Sequence, residues 1–158
     1  MVMLGYWDDP DKTRETIRDD RWYKTGDTAI LLEDGYCQIV GRMKDMIVRG
    51  GENVYPTEIE EVLFKHPKVT DVYVIGVPDT RLGEEVCAWI RLQEGDTCSV
   101  EEIKDFCKGK LSHFKIPKYI LFKKDFPTTI TGKVQKFVMR DISKKELYLE
   151  DVKSHFAA

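Results

Sequence analysis

The chain has 158 residues, of which 42% are hydrophobic and 34% are charged, and its 25 basic and 28 acidic residues leave a net charge of −3. This length suits one ordinary domain, or a smaller domain with an additional flank. The apolar content predicts a packed core rather than a disordered chain, and the near balance of interspersed charges gives no general electrostatic case for nucleic-acid binding.

The cysteines and histidines do not follow the spacing of a metal site. The four cysteines include no CxxC pair and have no histidine cluster nearby, so we expect no zinc site. Cys37 and Cys87 lie in apolar runs and are expected to be buried. His66 and His113 have no candidate partner at ligand or triad spacing and are expected to be structural. No apolar run approaches the roughly 20 residues that cross a bilayer, so no transmembrane segment is predicted.

The first part of the chain, residues 1–43, predicts a short helix followed by a β-hairpin. Asp9 and Pro10 form a typical helix start, because proline fits the first helical position. Two apolar runs, 28–32 and 36–40, flank an Asp-Gly pair, which is a hairpin signal. The hairpin has little sequence to pack against. Four aromatic residues are therefore expected to be exposed, at the edge of a larger domain that lies outside this chain: Tyr6, Trp7, Trp22 and Tyr23.

The pattern changes after Lys44, and residues 44–158 predict a small α+β domain in which helices flank a mixed sheet. Pro56 fits the first turn of one helix, and Ser99 with Glu102 forms a capping box for another. The predicted strands are 46–48, 69–77, 86–92 and 119–122, and the predicted helices are 56–66, 100–111 and 134–149.

Two residues at the ends of the predicted hairpin could bind a ligand. Asp27 follows a Thr-Gly turn, where a carboxylate can accept hydrogen bonds from two neighbouring hydroxyl groups or can cap the turn. Arg42 follows a glycine, and its planar fork can serve a phosphate or can pair with Asp45 or another local carboxylate. The spacing does not decide between these alternatives for either residue.

The segment after the hairpin combines two glycines with a run of glutamates. Gly50 and Gly51 allow close approach of the backbone to a ligand, although on local grounds a simple tight turn is the better explanation. Glu58, Glu60 and Glu61 could be mistaken for an acid–base pair. Their place in the first turns of a helix instead predicts a solvated face that complements the helix dipole.

Lys133 is the lysine that packing explains least. It follows Gly132 in a segment that predicts a flexible loop, so its ammonium could be a mobile positive charge or an ordinary surface lysine. Lys136 and Arg140 follow closely and could join it. The surrounding third of the chain is locally basic, which indicates either a solvated face or an anion-binding surface. This basic character rests on Lys108, Lys110, Lys115, Lys118, Lys123, Lys124, Lys133 and Lys136.

Three segments in series carry the most specific information. Residues 23–27 read YKTGD, residues 41–60 read GRMKDMIVRGGENVYPTEIE, and residues 127–133 read PTTITGK. In this order and spacing they resemble the last core motifs of the adenylate-forming enzymes, the family of acyl-CoA synthetases, peptide-synthetase adenylation domains and firefly-type luciferases. Residues 2–7 and 107–119 look most similar to the mitochondrial medium-chain acyl-CoA synthetases within that family.

The resemblance implies a two-step reaction of an AMP-forming acid–thiol ligase. ATP and a fatty acid would give an acyl-adenylate and pyrophosphate, and coenzyme A would then take the acyl group. By position, Asp27 would bind the ribose hydroxyls of ATP or AMP, and Arg42 the ribose and phosphate region. Lys133 would contact the carboxylate and the α-phosphate as the catalytic residue. A mitochondrial matrix location is implied by the same resemblance.

The resemblance also implies that residues 44–158 form a mobile lid. Lys44 would be the hinge about which this lid rotates between the two half-reactions. The rotation would withdraw Lys133 and bring Gly50 and Gly51 to the tunnel of the coenzyme A thiol. Glycine suits that place because a side chain would obstruct a narrow tunnel.

Part of the family's machinery has no counterpart in this sequence. The large N-terminal domain would supply the phosphate-binding loop, the acyl pocket and the glutamate that supports Mg²⁺, and no GxxxxGK[ST] loop occurs here. Residues 1–43 are therefore interpreted as the tail of that domain, which would be the partner of the lid. We expect the isolated chain to be inactive.

Other functions that keep the same fold stay open at this point. One is a luciferase-like or carrier-protein-loading enzyme, although Val48 stands where a luciferase-like enzyme would carry a second reactive lysine. Another is a non-catalytic interaction module that uses the basic C-terminal face for a partner. The intact Lys133 argues against that module.

Overall fold

The computed structural model describes residues 2–150 and Val152, and the chain divides into two compact units, Met1–Lys44 and Asp45–Ala158. The first unit contains helix α1 (Pro10–Thr16) and a two-stranded antiparallel sheet of β1 (Asp27–Leu31) and β2 (Cys37–Arg42). Asp9 caps α1, because its side chain accepts a 2.8 Å hydrogen bond from the backbone N–H of Lys12. The helix start and the hairpin predicted from the sequence are both confirmed.

Within the first unit, the apolar side chains lie largely at the surface. Trp7 is 98% exposed and Trp22 is 72% exposed, as the sequence predicts for these aromatic residues. The expectation that Cys37 is buried is wrong, because this cysteine is exposed. The reason is that β1 and β2 form a sheet of only two strands, and no helix of this unit covers the strand that carries Cys37.

The second unit contains a five-stranded mixed sheet, which confirms the predicted α+β fold. Its elements are β3 (Ile47–Arg49), β4 (Glu52–Val54), α2 (Pro56–Leu63), β5 (Val69–Asp79), β6 (Gly83–Leu92), α3 (Val100–Cys107), β7 (Tyr119–Phe122) and α4 (Lys136–Glu146). Strand β6 pairs antiparallel with β5 along ten registered positions and parallel with β7. Strand β3 joins the sheet where Arg49 pairs with Gly83 of β6, and β4 pairs with β3.

The alternation of side chains along β5 and β6 divides the core between the two faces of the sheet. On one face, Val74, Ala88 and Ile90 belong to a cluster that includes residues of α2 and α3. On the other face, Cys87 and Trp89 belong to a smaller cluster with Met139 of α4. The burial of Cys87 is thereby confirmed. Helix α4, which follows the Lys133 segment directly, is fixed to the sheet by its own apolar face.

Helices α2 and α3 end three and four residues before their predicted ends, at Leu63 and Cys107. Three further differences from the sequence prediction have identifiable reasons. Residues 49–53, predicted as a loop, include the turn of the β3–β4 hairpin and most of the three-residue strand β4. Helix α4 begins after Val134 because that residue forms a β-bridge with Thr128. It ends before Tyr148, whose positive φ of 56° interrupts the helix. In the described part of the chain, no helix has the length and apolar character to cross a membrane.

Candidate functional site

Asp27 and Arg42 face each other across the hairpin of the first unit. They are registered partners at the open end of β1 and β2, and Arg42 Nε lies 3.5 Å from Asp27 Oδ1. The turn before Asp27 is fixed by its backbone N–H, which donates to Thr25 Oγ1 at 3.0 Å, and by Gly26 with a φ of 76°. Both side chains remain partly exposed, so the carboxylate and the guanidinium can each bind a ligand while staying paired.

Lys44 lies in a short 3₁₀ turn, Met43–Asp45, that follows β2 directly. Its side chain is exposed. The boundary between the two compact units falls immediately after this residue.

Gly50 and Gly51 form the turn of the β3–β4 hairpin. Their φ values are 59° and 89°, and a two-residue hairpin turn with two positive φ values strongly favours glycine. The backbone N–H of Gly50 donates to Leu82 O at 2.8 Å, and a Cβ atom at Gly50 would come within 3.0 Å of Leu82 Cδ2. A Cβ atom at Gly51 would meet nothing within 4 Å. Turn geometry thus accounts for both glycines, and the open side of Gly51 leaves room for a ligand.

Lys133 closes a hydrogen-bonded turn within the segment that was predicted as a flexible loop. Thr129 bonds Lys133 twice: its N–H donates to Lys133 O at 2.8 Å, and its Oγ1 accepts from Lys133 N at 3.1 Å. Gly132 supplies the positive φ of 81°, and its N–H donates to Thr129 O at 2.9 Å. These bonds fix the backbone of Lys133 while its side chain remains exposed.

Most of the lysines named for the basic third of the chain, and Arg140 with them, are partnered within the second unit. Lys136 Nζ bonds Glu60 Oε1 at 2.7 Å, and Arg140 Nε donates to Gly76 O at 2.9 Å. Among the residues that the structure describes, neither Lys133 nor Lys124 forms an ion pair. Lys110 donates to Phe106 O and lies over the Phe106 ring. The other five lysines named for the basic third form ion pairs: Lys108–Asp105, Lys115–Glu58, Lys118–Asp79, Lys123–Glu146 and Lys136–Glu60.

The glutamates of α2 have different surroundings, and the expectation of a solvated face is wrong for Glu60. Its Oε1 accepts from Val74 N at 2.7 Å as well as from Lys136, and its side chain is only 20% exposed. The sequence does not predict this contact, because the partner lies 76 positions further along the chain. The one available signal was the i, i+4 spacing of Lys136 and Arg140, which places both cations on one face of α4.

His66 is not isolated, which corrects the expectation that it has no candidate partner. Its ligand atoms, Cys98 Sγ and a carboxylate oxygen of Glu102 all lie within 4.8 Å of one another. Lys68 Nζ already bonds Glu102 Oε1 at 2.8 Å and lowers the pKa of that carboxyl group. Burial raises the pKa of the Cys98 thiol to about 11, so the thiol is protonated at neutral pH. The Glu102 carboxylate of this group is therefore already engaged in an ion pair with Lys68.

Comparisons with known proteins agree with the motifs. The AMP-binding enzyme C-terminal domain family matches residues 58–133. The mitochondrial medium-chain acyl-CoA ligase ACSF2 of Danio rerio is 60% identical over 148 residues, which are 94% of this chain and 24% of that protein. The Homo sapiens protein of the same name is 59% identical over the same shares. Among solved structures, ATP-bound MatB from Rhodopseudomonas palustris matches with a TM-score of 0.84 and 40% identity, over 90% of this chain and 28% of its own.

The extent of these matches defines what they establish. The chain spans about a quarter of the length of the curated relatives that it matches, and it corresponds to their C-terminal part. Those relatives are named acyl-CoA ligases. The chain is therefore similar to the C-terminal part of these ligases, and its residues 58–133 match the AMP-binding enzyme C-terminal domain family.

Proposed function

We propose that this chain supplies the C-terminal part of an AMP-forming acyl-CoA ligase that activates a medium-chain fatty acid. The observation that carries the proposal is the state of Lys133. Its backbone is fixed by Thr129 and its ammonium is exposed, with no ion pair among the described residues. Most neighbouring cations are instead partnered within the domain. A charge presented in this way is available to a substrate anion.

In the first half-reaction, a carboxylate oxygen of the fatty acid attacks the α-phosphorus of ATP. The bond from that phosphorus to the bridging oxygen breaks, and pyrophosphate leaves. Lys133 contacts the attacking carboxylate and the α-phosphate, where its positive charge offsets the negative charge of the transition state. Asp27 accepts hydrogen bonds from the ribose hydroxyls, and Arg42 binds the ribose and phosphate region from the opposite strand.

In the second half-reaction, the thiol of coenzyme A attacks the carbonyl carbon of the acyl-adenylate, and AMP leaves with the electron pair of the broken acyl–oxygen bond. Lys44 is the hinge that exchanges the two arrangements of the lid. Gly50 and Gly51 then line the path of the thiol. The open space at Gly51 supports this role, because no atom of the described residues beyond its two chain neighbours lies within 4 Å of a Cβ atom built there.

The remaining requirements are assigned to protein outside this chain. The acyl pocket, the phosphate-binding loop and the carboxylate that supports Mg²⁺ belong to the N-terminal part of the relatives. We therefore propose that the isolated chain does not release pyrophosphate from ATP and a fatty acid. We also propose a mitochondrial location, because the names of these relatives include one.

The decisive experiment replaces the corresponding C-terminal part of the Danio rerio ligase with this chain. The chimera is expected to release pyrophosphate with ATP and octanoate and to form the coenzyme A thioester. Lys133→Ala should lower adenylation by about 100-fold to 1,000-fold, the usual cost of removing one transition-state donor. The same variant should retain thioester formation from preformed acyl-adenylate.

Lys124→Ala is the matched control, because Lys124 is also exposed and also has no ion pair among the described residues. It should leave both half-reactions unchanged. Equal losses in the two variants would show that general surface charge, rather than a positioned Lys133, is responsible. An inactive chimera that folds would contradict the ligase proposal and favour the non-catalytic interaction module.

A further inference from the structure

Glu84 on β6 joins two parts of the second unit that lie far apart in sequence. Its Oε2 accepts a 2.9 Å hydrogen bond from the backbone N–H of Val48, on the strand that leads into the Gly50–Gly51 turn. Its Oε1 lies 3.4 Å from Arg140 Nη2, on the helix that follows Lys133. One carboxylate therefore contacts both β3 and α4.

The hydrogen-bonding pattern of the β3–β4 hairpin leaves the N–H of Val48 free for this contact. Arg49 and Glu52 flank the two-residue turn, and residues in that position exchange backbone hydrogen bonds. The next pair, Val48 with Asn53, is consequently a non-hydrogen-bonded pair. The N–H of Val48 then points away from β4, toward the side on which Glu84 lies.

Gly76 on β5 completes the arrangement. Its carbonyl oxygen accepts from Arg140 Nε at 2.9 Å. A Cβ atom at Gly76 would lie 2.9 Å from Glu84 Oε1, so only glycine leaves the carboxylate its place. The φ of Gly76 is not in the left-handed region, so backbone conformation does not explain why glycine occupies this position. The space that the Glu84 carboxylate needs explains it.

Lys136 also connects α4 to the sheet, one helical turn before Arg140. Lys136 donates to Glu60 Oε1 at 2.7 Å and to Val74 O at 3.1 Å. Lys136 and Arg140 are one helical turn apart and both reach β5. The first two turns of α4 are therefore fixed to the sheet by charged groups, in addition to the buried side chain of Met139.

We propose that Glu84 and Arg140 are positioning residues that couple the Gly50–Gly51 turn to the helix behind Lys133. The two loops that serve the two half-reactions would then move as one body. We call the group of Val48, Gly76, Glu84 and Arg140 the Glu84 bridge. The catalytic meaning of this inference rests on the proposed function, whereas the mechanical coupling does not.

The coupling is tested on the 158-residue chain itself by amide hydrogen exchange followed by NMR. Arg140→Met keeps the apolar stem but removes both contacts of the guanidinium. The amide of Val48, which Arg140 does not touch, should then exchange faster by about tenfold, the factor that corresponds to one lost hydrogen bond of ordinary strength. An unchanged Val48 amide would overturn the coupling.

Lys123→Met is the matched control. The ion pair of Lys123 with Glu146 also ties α4 to the sheet, but at the opposite end of the helix. Lys123→Met should leave the exchange rate of the Val48 amide unchanged. An increase equal to that of Arg140→Met would show general loosening of α4 rather than a specific bridge. Gly76→Ala is the second test variant if Arg140→Met fails to fold. It displaces the Glu84 carboxylate and should raise the exchange of Val48 by a similar factor.

The catalytic arm uses the chimera and measures each half-reaction well below the unfolding temperature of every variant. Arg140→Met should lower adenylation and thioester formation together, whereas Lys133→Ala lowers only adenylation and Lys123→Met lowers neither. A loss confined to one half-reaction would overturn the coupled positioning of the two loops. If the unsubstituted chimera is inactive, the proposed function fails, and the exchange experiment still decides the coupling.

Discussion

The two units of this chain use apolar side chains in opposite ways. In Met1–Lys44, Thr16 is the single buried side chain among the described residues, while Trp7, Leu31 and Tyr36 are largely exposed. In the second unit, two buried clusters cover both faces of one sheet. The difference teaches that apolar runs of similar appearance are buried only where the same chain supplies the covering element. For the first unit we propose that protein outside this chain supplies it.

Ion pairs follow the same division. Those of α1 join residues three positions apart on an exposed surface, as Arg14 does with Asp11. Most of those in the second unit join distant elements and are at least partly buried, whereas Lys108–Asp105 and Lys144–Asp141 are pairs three positions apart within or beside one helix. The extreme case of burial is Glu85, whose side chain is 2% exposed and pairs with Arg49 at 2.7 Å. In the first unit, Asp27–Arg42 is the pair that joins two strands. Charge therefore contributes to tertiary structure mainly in the second unit.

The largest expected effect comes from removing one partner of the buried pair. Arg49→Met leaves the Glu85 carboxylate buried without its cation, which should lower the free energy of unfolding by about 3–5 kcal/mol at neutral pH. Urea denaturation of the chain measures this change. Arg14→Met is the matched substitution in the first unit. It should have a much smaller effect, because the Arg14 guanidinium and its partner, the Asp11 carboxylate, are both solvated. Similar losses in the two variants would break the comparison.

A slightly smaller effect is expected from the apolar core. Leu63→Ala removes a fully buried side chain of α2 and should lower the free energy of unfolding by about 2–5 kcal/mol. Leu31→Ala makes the same chemical change at a side chain that is 76% exposed, and it should stay within about 0.5 kcal/mol of the parent. The same denaturation experiment measures both. A large loss for Leu31→Ala would show that the first unit has a core of its own.

The smallest effect concerns acid stability. Burial opposes ionisation of Asp79, but hydrogen bonds from Lys118 and from the N–H groups of Leu82 and Arg81 outweigh it and lower the pKa below 3.8. A lowered carboxyl pKa gives stability that is present above the unfolded-state value and is lost as the pH falls through the folded-state value. Asp79→Asn should therefore lose less stability than the parent on acidification below about pH 4.

The control for the acid experiment is Glu15→Gln in the first unit. A hydrogen bond from Lys12 also lowers the pKa of Glu15, but this carboxylate is fully solvated. Glu15→Gln should change the pH dependence of stability less than Asp79→Asn does. Denaturant midpoints measured across the acid range compare the two variants. An equal change would mean that exposed and sheltered carboxylates contribute alike.

The sequence allowed the fold to be predicted well where the determinants are local. The hairpin of β1 and β2 follows from one Asp-Gly pair, and Ser99 caps α3 as the capping box predicts, through a bond from Glu102 N. Strand β4 was missed because three residues with one buried side chain carry too little periodicity. What fixes β4 is the turn at Gly50 and Gly51, which was predicted as a turn or ligand site but not as a hairpin.

The candidate site was predictable only in part, for a physical reason. Asp27, Arg42 and Lys133 were identified from motifs, and their proposed roles stay predictions. The Glu84 bridge and the pair of Glu60 with Lys136 were not identified, because their partners lie 36 to 76 positions apart. Local patterns report which face of an element is apolar. They do not report which charge a distant strand will bring to it.

One consequence of the sheet topology concerns the order of folding. Strand β5 takes one edge of β6, while β3 and β7 share the other edge, at Gly83 and at Cys87–Ile90 respectively. The β5–β6 hairpin closes through a short connection, whereas β7 must return over about 30 residues to pair in parallel, at a greater cost in loop entropy. We therefore expect the β5–β6 hairpin to form first. The Gly50–Gly51 turn and the Lys133 segment are then expected to take their places on it later in folding.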